Sequence, residues 1–200
     1  MMIQRRKFIK KVGLSLPLLA LPKVLSSSVL ANQPNTPKIS LAQWSLNKAF
    51  FADELDAKDF AQISSRDYGI QAVEYVSAFY KDQVSDENLW LDLKRRADDQ
   101  DVQSLLIMVD DEGDLGNPND QERKRAVENH YKWINAAKIM GCHSIRVNAF
   151  GDGSKTAVQQ ALVEGMGSLS AVAAKEGINI IIENHGLYSS DAAFIVDVIK

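Results

Sequence analysis

A single cysteine, Cys142, in a chain of 200 residues excludes an internal disulfide, and no Cys/His spacing of the zinc-binding type accompanies it. Phosphate-cradling loops are also missing. No Gly-x-Gly-x-x-Gly turn follows an apolar run, and no Gly-x-x-x-x-Gly-Lys-Ser/Thr loop occurs. The body of the chain has no apolar run long enough to cross a bilayer. Positive charge is scarce there too. The first 31 residues hold six basic residues and no acid, so the remainder has 17 basic against 26 acidic residues, a net charge of −9. That balance excludes a nucleic-acid backbone as the main partner and suits a soluble protein or a cation site. The whole chain is 46% hydrophobic and 24% charged, ordinary globular composition with enough apolar residues for one sizeable core.

The N-terminal segment reads as an address. Gln4-Arg5-Arg6-Lys7-Phe8-Ile9-Lys10 resembles the bacterial twin-arginine export signal. An apolar stretch from Val12 to Pro22 and the small residues of Ser26–Ala31 follow in the order of an export signal, with cleavage expected after Ala31. An amphipathic helix that stays attached is the alternative, since Pro17 and Lys23 interrupt the apolar run. Residues 32–37 are polar, carry two prolines and read as a linker. The resemblance implies a periplasmic or otherwise exported protein with no stable membrane insertion after signal removal.

From Lys38 the pattern alternates. Apolar runs at Ile39–Leu46, Ile70–Val76, Val102–Val109, Ser144–Val147 and Ile178–Ile182 predict strands. Helical spacing lies between them: Leu89, Leu93 and Ala97 within Ser85–Gln100, then Ala126 to Met140, then Val158 to Lys175. Gly69, Gly141 and Gly177 stand where helices give way to strands, as left-handed stop residues do. Strand–helix alternation predicts a parallel sheet with right-handed crossovers, either doubly wound or a barrel. The missing dinucleotide turn favours the barrel. The Ile178–Ile182 run predicts a strand buried on both faces. Five units are expected here against the eight of a complete α/β (β/α)8 TIM barrel, and the apolar segment Ala192–Lys200 has no stop signal. The chain is therefore expected to be C-terminally incomplete, with open sheet edges.

In such barrels the reactive groups stand at the C-terminal ends of strands. Glu183 follows three isoleucines. A carboxylate entering an apolar interior is costly unless paired or bound to a cation, which makes Glu183 a candidate metal ligand or general base. A salt bridge to Arg146 on the adjacent strand is the structural alternative. His185 would share the Glu183 face, and Arg146 and Asn148 share a face of strand four. These three, with Glu74 and the ring of Trp44, are candidate substrate-binding groups, each with a packing or ion-pair alternative. Asp110, Asp111 and Glu112 could bind a cation, but they read first as a solvated acidic loop. His130 and His143 are weak candidates, one on a helix stripe and one at a strand start. Cys142 reads as a small buried hydrophobe.

Gln43-Trp44-Ser45, Gly69–Val76, the Asp111–Gly116 loop, Gly141–Asn148 and Ile182-Glu183-Asn184-His185-Gly186 resemble the sugar phosphate isomerase/epimerase family of the xylose-isomerase-like TIM-barrel superfamily. The resemblance covers Lys38 to Lys200 and is most specific in strands four and five. It implies a divalent-metal site (Mn, Mg, Co or Zn) with a Glu after strand five, which Glu183 matches. An Asp, a His and a Glu from later strands complete that site in the family and would lie beyond Lys200. It also implies a small-molecule sugar substrate and proton abstraction beside a carbonyl. AP-endonuclease relatives carry histidines where this chain has Glu74 and Asp110, so no DNA-repair site is expected. A sugar-binding barrel without chemistry, truncated or complete, and a lyase or hydrolase of oxidised glycosides stay open, as does homo-oligomerisation.

Overall fold

The structure, a computed structural model, describes residues 37–200. The export signal expected at 1–31 and residues 32–36 of the expected linker lie outside the described residues. Lys38–Lys200 form one compact unit.

Five parallel strands make a single sheet in sequential order: β1 (Leu41–Ala42), β2 (Ala72–Val76), β3 (Gln103–Met108), β4 (Ser144–Asn148) and β5 (Asn179–Glu183). A doubly wound sheet reverses its strand order at a switch point. Here the order never reverses, which is the winding of a barrel. The connections carry α1 (Asn47–Phe51), α2 (Phe60–Ile63), α3 (Glu87–Asp98), α4 (Asp120–Asn129), α5 (Tyr131–Met140) and α6 (Lys155–Lys175), and α7 (Ala192–Ile199) follows β5.

Helix ends follow local chemistry. Asp86 accepts from the Asn88 amide at 3.0 Å to start α3, and Asn119 accepts from Gln121 and Glu122 to start α4. Gly69, Gly141 and Gly177 all take positive φ, at 66°, 73° and 73°, as expected of stop residues.

Two expectations of element length are corrected. Residues 39–46 do not form one strand, because pairing ends at Ala42 and Gln43–Leu46 turn into a 3-10 helix. The Gln43 side chain is fully buried, accepts from the Val76 amide at 3.0 Å and donates to the Tyr80 hydroxyl at 2.8 Å. It thereby occupies the ladder position that a longer β1 would have used. The segment Ala126–Met140 is two helices, not one. The His130 ring contacts the Ala126 carbonyl at 2.7 Å, the acceptor that the His130 amide would take in a continuous helix, and that amide bonds to Val127 instead.

The sheet has two unlike faces. Val73, Tyr75, Ile107, Val109, Ile145 and Val147 are buried against the helices, with Ile180 and Ile182 packed at the margin. An aromatic chain runs through this layer, from Phe50 to Phe60, Tyr75, Tyr80, Trp90 and Trp133, with ring centroids 5.3–6.2 Å apart. The indole N–H groups of Trp90 and Trp133 donate to the Val84 carbonyl and to Glu112, so these large rings are buried without an orphaned donor. The opposite, inner face presents Glu74, Leu106, Met108, Arg146, Asn148, Ile181 and Glu183. β5 is not buried on both faces as expected: Ile181 is 38% exposed, because β5 is the edge of the described sheet.

Cys142 is buried, and burial pushes its thiol up to about 12, which leaves it a packing residue rather than a nucleophile. Gly165 of α6 lets the helix approach the loop after β3, since a Cβ there would stand 2.1 Å from the Leu115 carbonyl oxygen. Two residues on, a Cβ at Gly167 would meet nothing within 4 Å. Gly165→Ala is therefore expected to lower stability by about 1–3 kcal/mol despite its better helix propensity. Gly167→Ala is expected to raise stability by roughly 0.5–1 kcal/mol, and urea unfolding of the two variants reads the opposite signs.

Burial lowers the pKa of His130 from its usual 6.5, so the fold holds the neutral ring. Below pH 6.5 the unfolded chain takes up a proton that the folded ring refuses, and stability falls as pH drops through that window. Above it, both states are neutral and this contribution is flat. The stability difference between the wild type and His130→Gln should accordingly narrow between pH 7.5 and pH 5.5. A constant difference would contradict the assignment.

Candidate functional site

The inner face gathers its polar groups at the C-terminal ends of β3, β4 and β5. Pairing places Met108 opposite Arg146, and Asn148 opposite Glu183. Alternation then sends Arg146, Asn148 and Glu183 to one side. Asp110 joins them two residues after Met108. Its backbone is fixed by the Ser77 hydroxyl, which accepts from the Asp110 amide at 3.0 Å, and by the Val109 amide, which donates to the Arg146 carbonyl.

Arg146 is the centre of the group. Its side chain is 10% exposed, and its Nε lies 2.6 Å from Glu183 Oε2. Nη1 lies 3.2 Å from Asp110 Oδ1 and donates to Asn148 Oδ1 at 3.0 Å. Asn148 Nδ2 donates to Asp110 Oδ1 at 2.7 Å, which closes a ring of three bonded side chains. The Glu183 side chain is 40% exposed, and its Oε1 takes no ion pair or hydrogen bond among the described residues. His185 Nδ1 stands 3.8 Å from Glu183 Oε2, and its ring meets Phe150 edge-on. With two carboxylates around one guanidinium, the cluster carries a net charge of −1.

The expected site residues are therefore sorted by the fold. Arg146, Asn148, Glu183 and His185 come together. Glu74 lies on β2, where its Oε1 accepts from the Ser40 hydroxyl at 2.5 Å, and forms no bond to the Arg146 cluster. Trp44 leaves the sheet with the early end of β1. It is 50% exposed and packs against Phe51 and Phe79, with centroids 6.0 and 6.4 Å away. A cleft of about 480 Å³ shares Phe79 with this group and is lined also by Phe50, Tyr80, Asp53, Asp56 and Lys58 among others.

Two readings of the acidic residues are corrected. Glu183 does not enter a sealed apolar interior: on the edge strand it is half-exposed, and it takes the ion pair with Arg146 that the sequence had left as the alternative. Residues 110–112 are solvated only at Asp111, which is exposed. Asp110 binds Arg146 and Asn148, and the Glu112 side chain, 10% exposed, accepts from the Trp133 indole and pairs with Lys132. Asp110, read first as part of a solvated loop, is thus the residue whose bonds to Arg146 and Asn148 the sequence did not reveal. His143 sits at the start of β4, away from the cluster, with Nδ1 2.6 Å from the Ser144 hydroxyl.

Carboxylate oxygens are the donors that hard divalent cations take, so Glu183, with Oε1 unbonded, fits as one ligand of such an ion. No three His, Cys, Asp or Glu side chains converge into a complete metal site among the described residues. No described helix is long and apolar enough to cross a membrane.

Solved structures share this architecture. D-psicose 3-epimerase from Clostridium cellulolyticum H10, solved with D-tagatose, superposes with a TM-score of 0.62 at 15% identity, over 81% of this chain and 60% of that one. The 3-keto-D-glucoside 4-epimerase of E. coli gives 0.56 at 13% identity, over 72% and 60%. A sugar phosphate isomerase/epimerase from Parabacteroides distasonis ATCC 8503 gives 0.54 at 12% identity, over 86% and 65%. The chain thus spans about 60–65% of the length of these structures. At such identities the likeness is one of fold. No curated protein matches the chain in sequence. A family model described as xylose isomerase-like TIM barrel matches residues 64–200. With that match covering more than half of its length and its five parallel strands in barrel order, the chain belongs to the xylose isomerase-like TIM barrel family.

Proposed function

We propose that this chain carries the first carboxylate of a divalent-metal-dependent isomerase or epimerase, acting on a sugar or keto-sugar by proton abstraction next to a carbonyl. The observation that carries the reading is the position of Glu183: at the C-terminal end of β5, on the inner face, beside Asn148 and Arg146, with Oε1 unbonded. The solved epimerases with this fold support the reaction class.

Each group has a role in this reading. Glu183 Oε1 is the oxygen placed to ligate an ion or to take a proton from the substrate carbon. Asn148, half-buried and held by Asp110, offers amide chemistry to sugar hydroxyls, and His185 offers a ring nitrogen at the open rim. A divalent ion, when bound, supplies Lewis acidity that polarises the substrate oxygens. In this reading Glu183 is one ligand, and the family resemblance implies an Asp, a His and a Glu from later strands as the others. The twin-arginine-like N-terminus supports export to the periplasm, where unphosphorylated sugars are the more available substrates.

A second reading, a sugar-binding barrel without chemistry, is favoured by one feature. Trp44 and Phe51, 50% and 60% exposed, meet edge to face and leave aromatic ring surface open, the kind of surface on which sugar rings stack. Solvent-deuterium incorporation beside the carbonyl, followed by NMR over a panel of ketoses with Mn2+, separates the two. The enzymatic reading predicts exchange that falls by about 10²–10⁴-fold in Glu183→Gln, with the melting temperature little changed. Trp44→Ala should weaken sugar binding by roughly 3- to 10-fold. Sugar binding with no exchange in the wild type, lost in Trp44→Ala and kept in Glu183→Gln, would favour the second reading instead.

A further inference from the structure

Arg146 has no role in the chemistry proposed above, yet its donors are only partly used. Nη1 is committed, to Asp110 at 3.2 Å and to Asn148 Oδ1 at 3.0 Å, and Nε lies 2.6 Å from Glu183 Oε2. Nη2 makes no hydrogen bond among the described residues. Every buried side-chain polar atom there has a partner, so Nη2 is within reach of solvent. Glu183 Oε1 is unbonded as well, on a half-exposed carboxylate. An open donor and an open acceptor therefore stand on two side chains already in contact.

A ligand that fills both positions offers an acceptor to Nη2 and a donor to Glu183. Sugar hydroxyls do both, whereas a phosphate dianion offers acceptors only. Arginine often binds phosphate through two N–H groups at once. Here the guanidinium is outnumbered, because the inner face sets Glu74, Asp110 and Glu183 against it. An anion at Nη2 would stand beside the Glu183 carboxylate and be repelled by it.

We infer that Arg146 and Glu183 form a hydroxyl clamp that selects an uncharged sugar and rejects its phosphorylated form. Nη2 donates to one sugar oxygen, and Glu183 Oε1 accepts from a neighbouring hydroxyl. The inference rests on the reading of these strand ends as a sugar site and narrows the substrate class of that site. It concerns the binding step alone and needs no cation. Rejection comes from an unfavourable charge contact rather than from a missing favourable one. Glu183→Gln keeps a side chain that can bond a hydroxyl and removes the repulsion, so it should relax the selection.

The test follows two resonances by NMR in metal-free, low-salt buffer at pH 7, where a phosphate monoester carries about two negative charges. One is the Arg146 Nε–H, assigned by its absence from Arg146→Lys. The other is the Trp44 indole N–H, assigned by its absence from Trp44→Ala. The probes are D-fructose, D-psicose and D-tagatose, each against its phosphate monoester. At least one free ketose should shift the Arg146 resonance saturably, and its phosphate should bind roughly tenfold or more weakly. In Glu183→Gln the free ketose should still bind, and that ratio should fall by roughly tenfold.

Equal binding of ketose and phosphate by the wild type, or a ratio unchanged in Glu183→Gln, would overturn the selection and spare the sugar site. A ketose that shifts the Trp44 indole and leaves Arg146 unmoved would overturn the clamp and favour the aromatic surface. No shift of either resonance by any probe, up to its solubility limit, would overturn the clamp and the sugar reading together.

Discussion

One guanidinium organises the inner face. Arg146 projects from the middle of β4, nearly buried, between a carboxylate after β3 and another at the end of β5. A charged group so placed is tolerable only with its partners in contact. The loop after β3, the end of β4 and the end of β5 therefore have to meet at one place. The backbone enforces the same geometry: the Val109 amide bonds to the Arg146 carbonyl, and the Ser77 hydroxyl holds the Asp110 amide. The function proposed for these strand ends would depend on that registration.

The division of labour between the two faces follows from parallel strands in sequential order. Helices cover one face and build the aromatic core, where every buried side-chain polar atom among the described residues has a partner. The inner face keeps its charged and amide groups. Close backbone approach locks the loops above it. Gly116 and Gly151 lie so near each other that a Cβ on Gly151 would fall 2.1 Å from the Gly116 carbonyl oxygen, and the Gly116 amide bonds to the Phe150 carbonyl. The chains leaving β3 and β4 are thereby fastened together.

Much of this was legible in sequence because the signals are local. Alternating runs located β2 to β5, left-handed glycines closed three connections, and side-chain alternation placed Arg146 with Asn148 on one face. The missing dinucleotide turn pointed away from the doubly wound sheet, and strand order bears that out. What escaped depends on neighbours distant in the chain. The apolar pattern around Gln43 looks like strand, and only the fold shows its carboxamide taking the Val76 amide and ending β1. Asp110 sits in an acidic triplet that resembles a solvated loop, and its role is set by Arg146, 36 residues away. The break at His130 is a contest between a ring nitrogen and a backbone amide for one carbonyl, which helical periodicity does not register.

The central claim, that Glu183 at the end of β5 is a cation ligand, is tested most directly by a crystal structure of the Mn2+-soaked protein with anomalous data at the manganese edge. The account predicts an anomalous peak within bonding distance of a Glu183 oxygen. A peak elsewhere, or none while Arg146 remains on Glu183 Oε2, would contradict it.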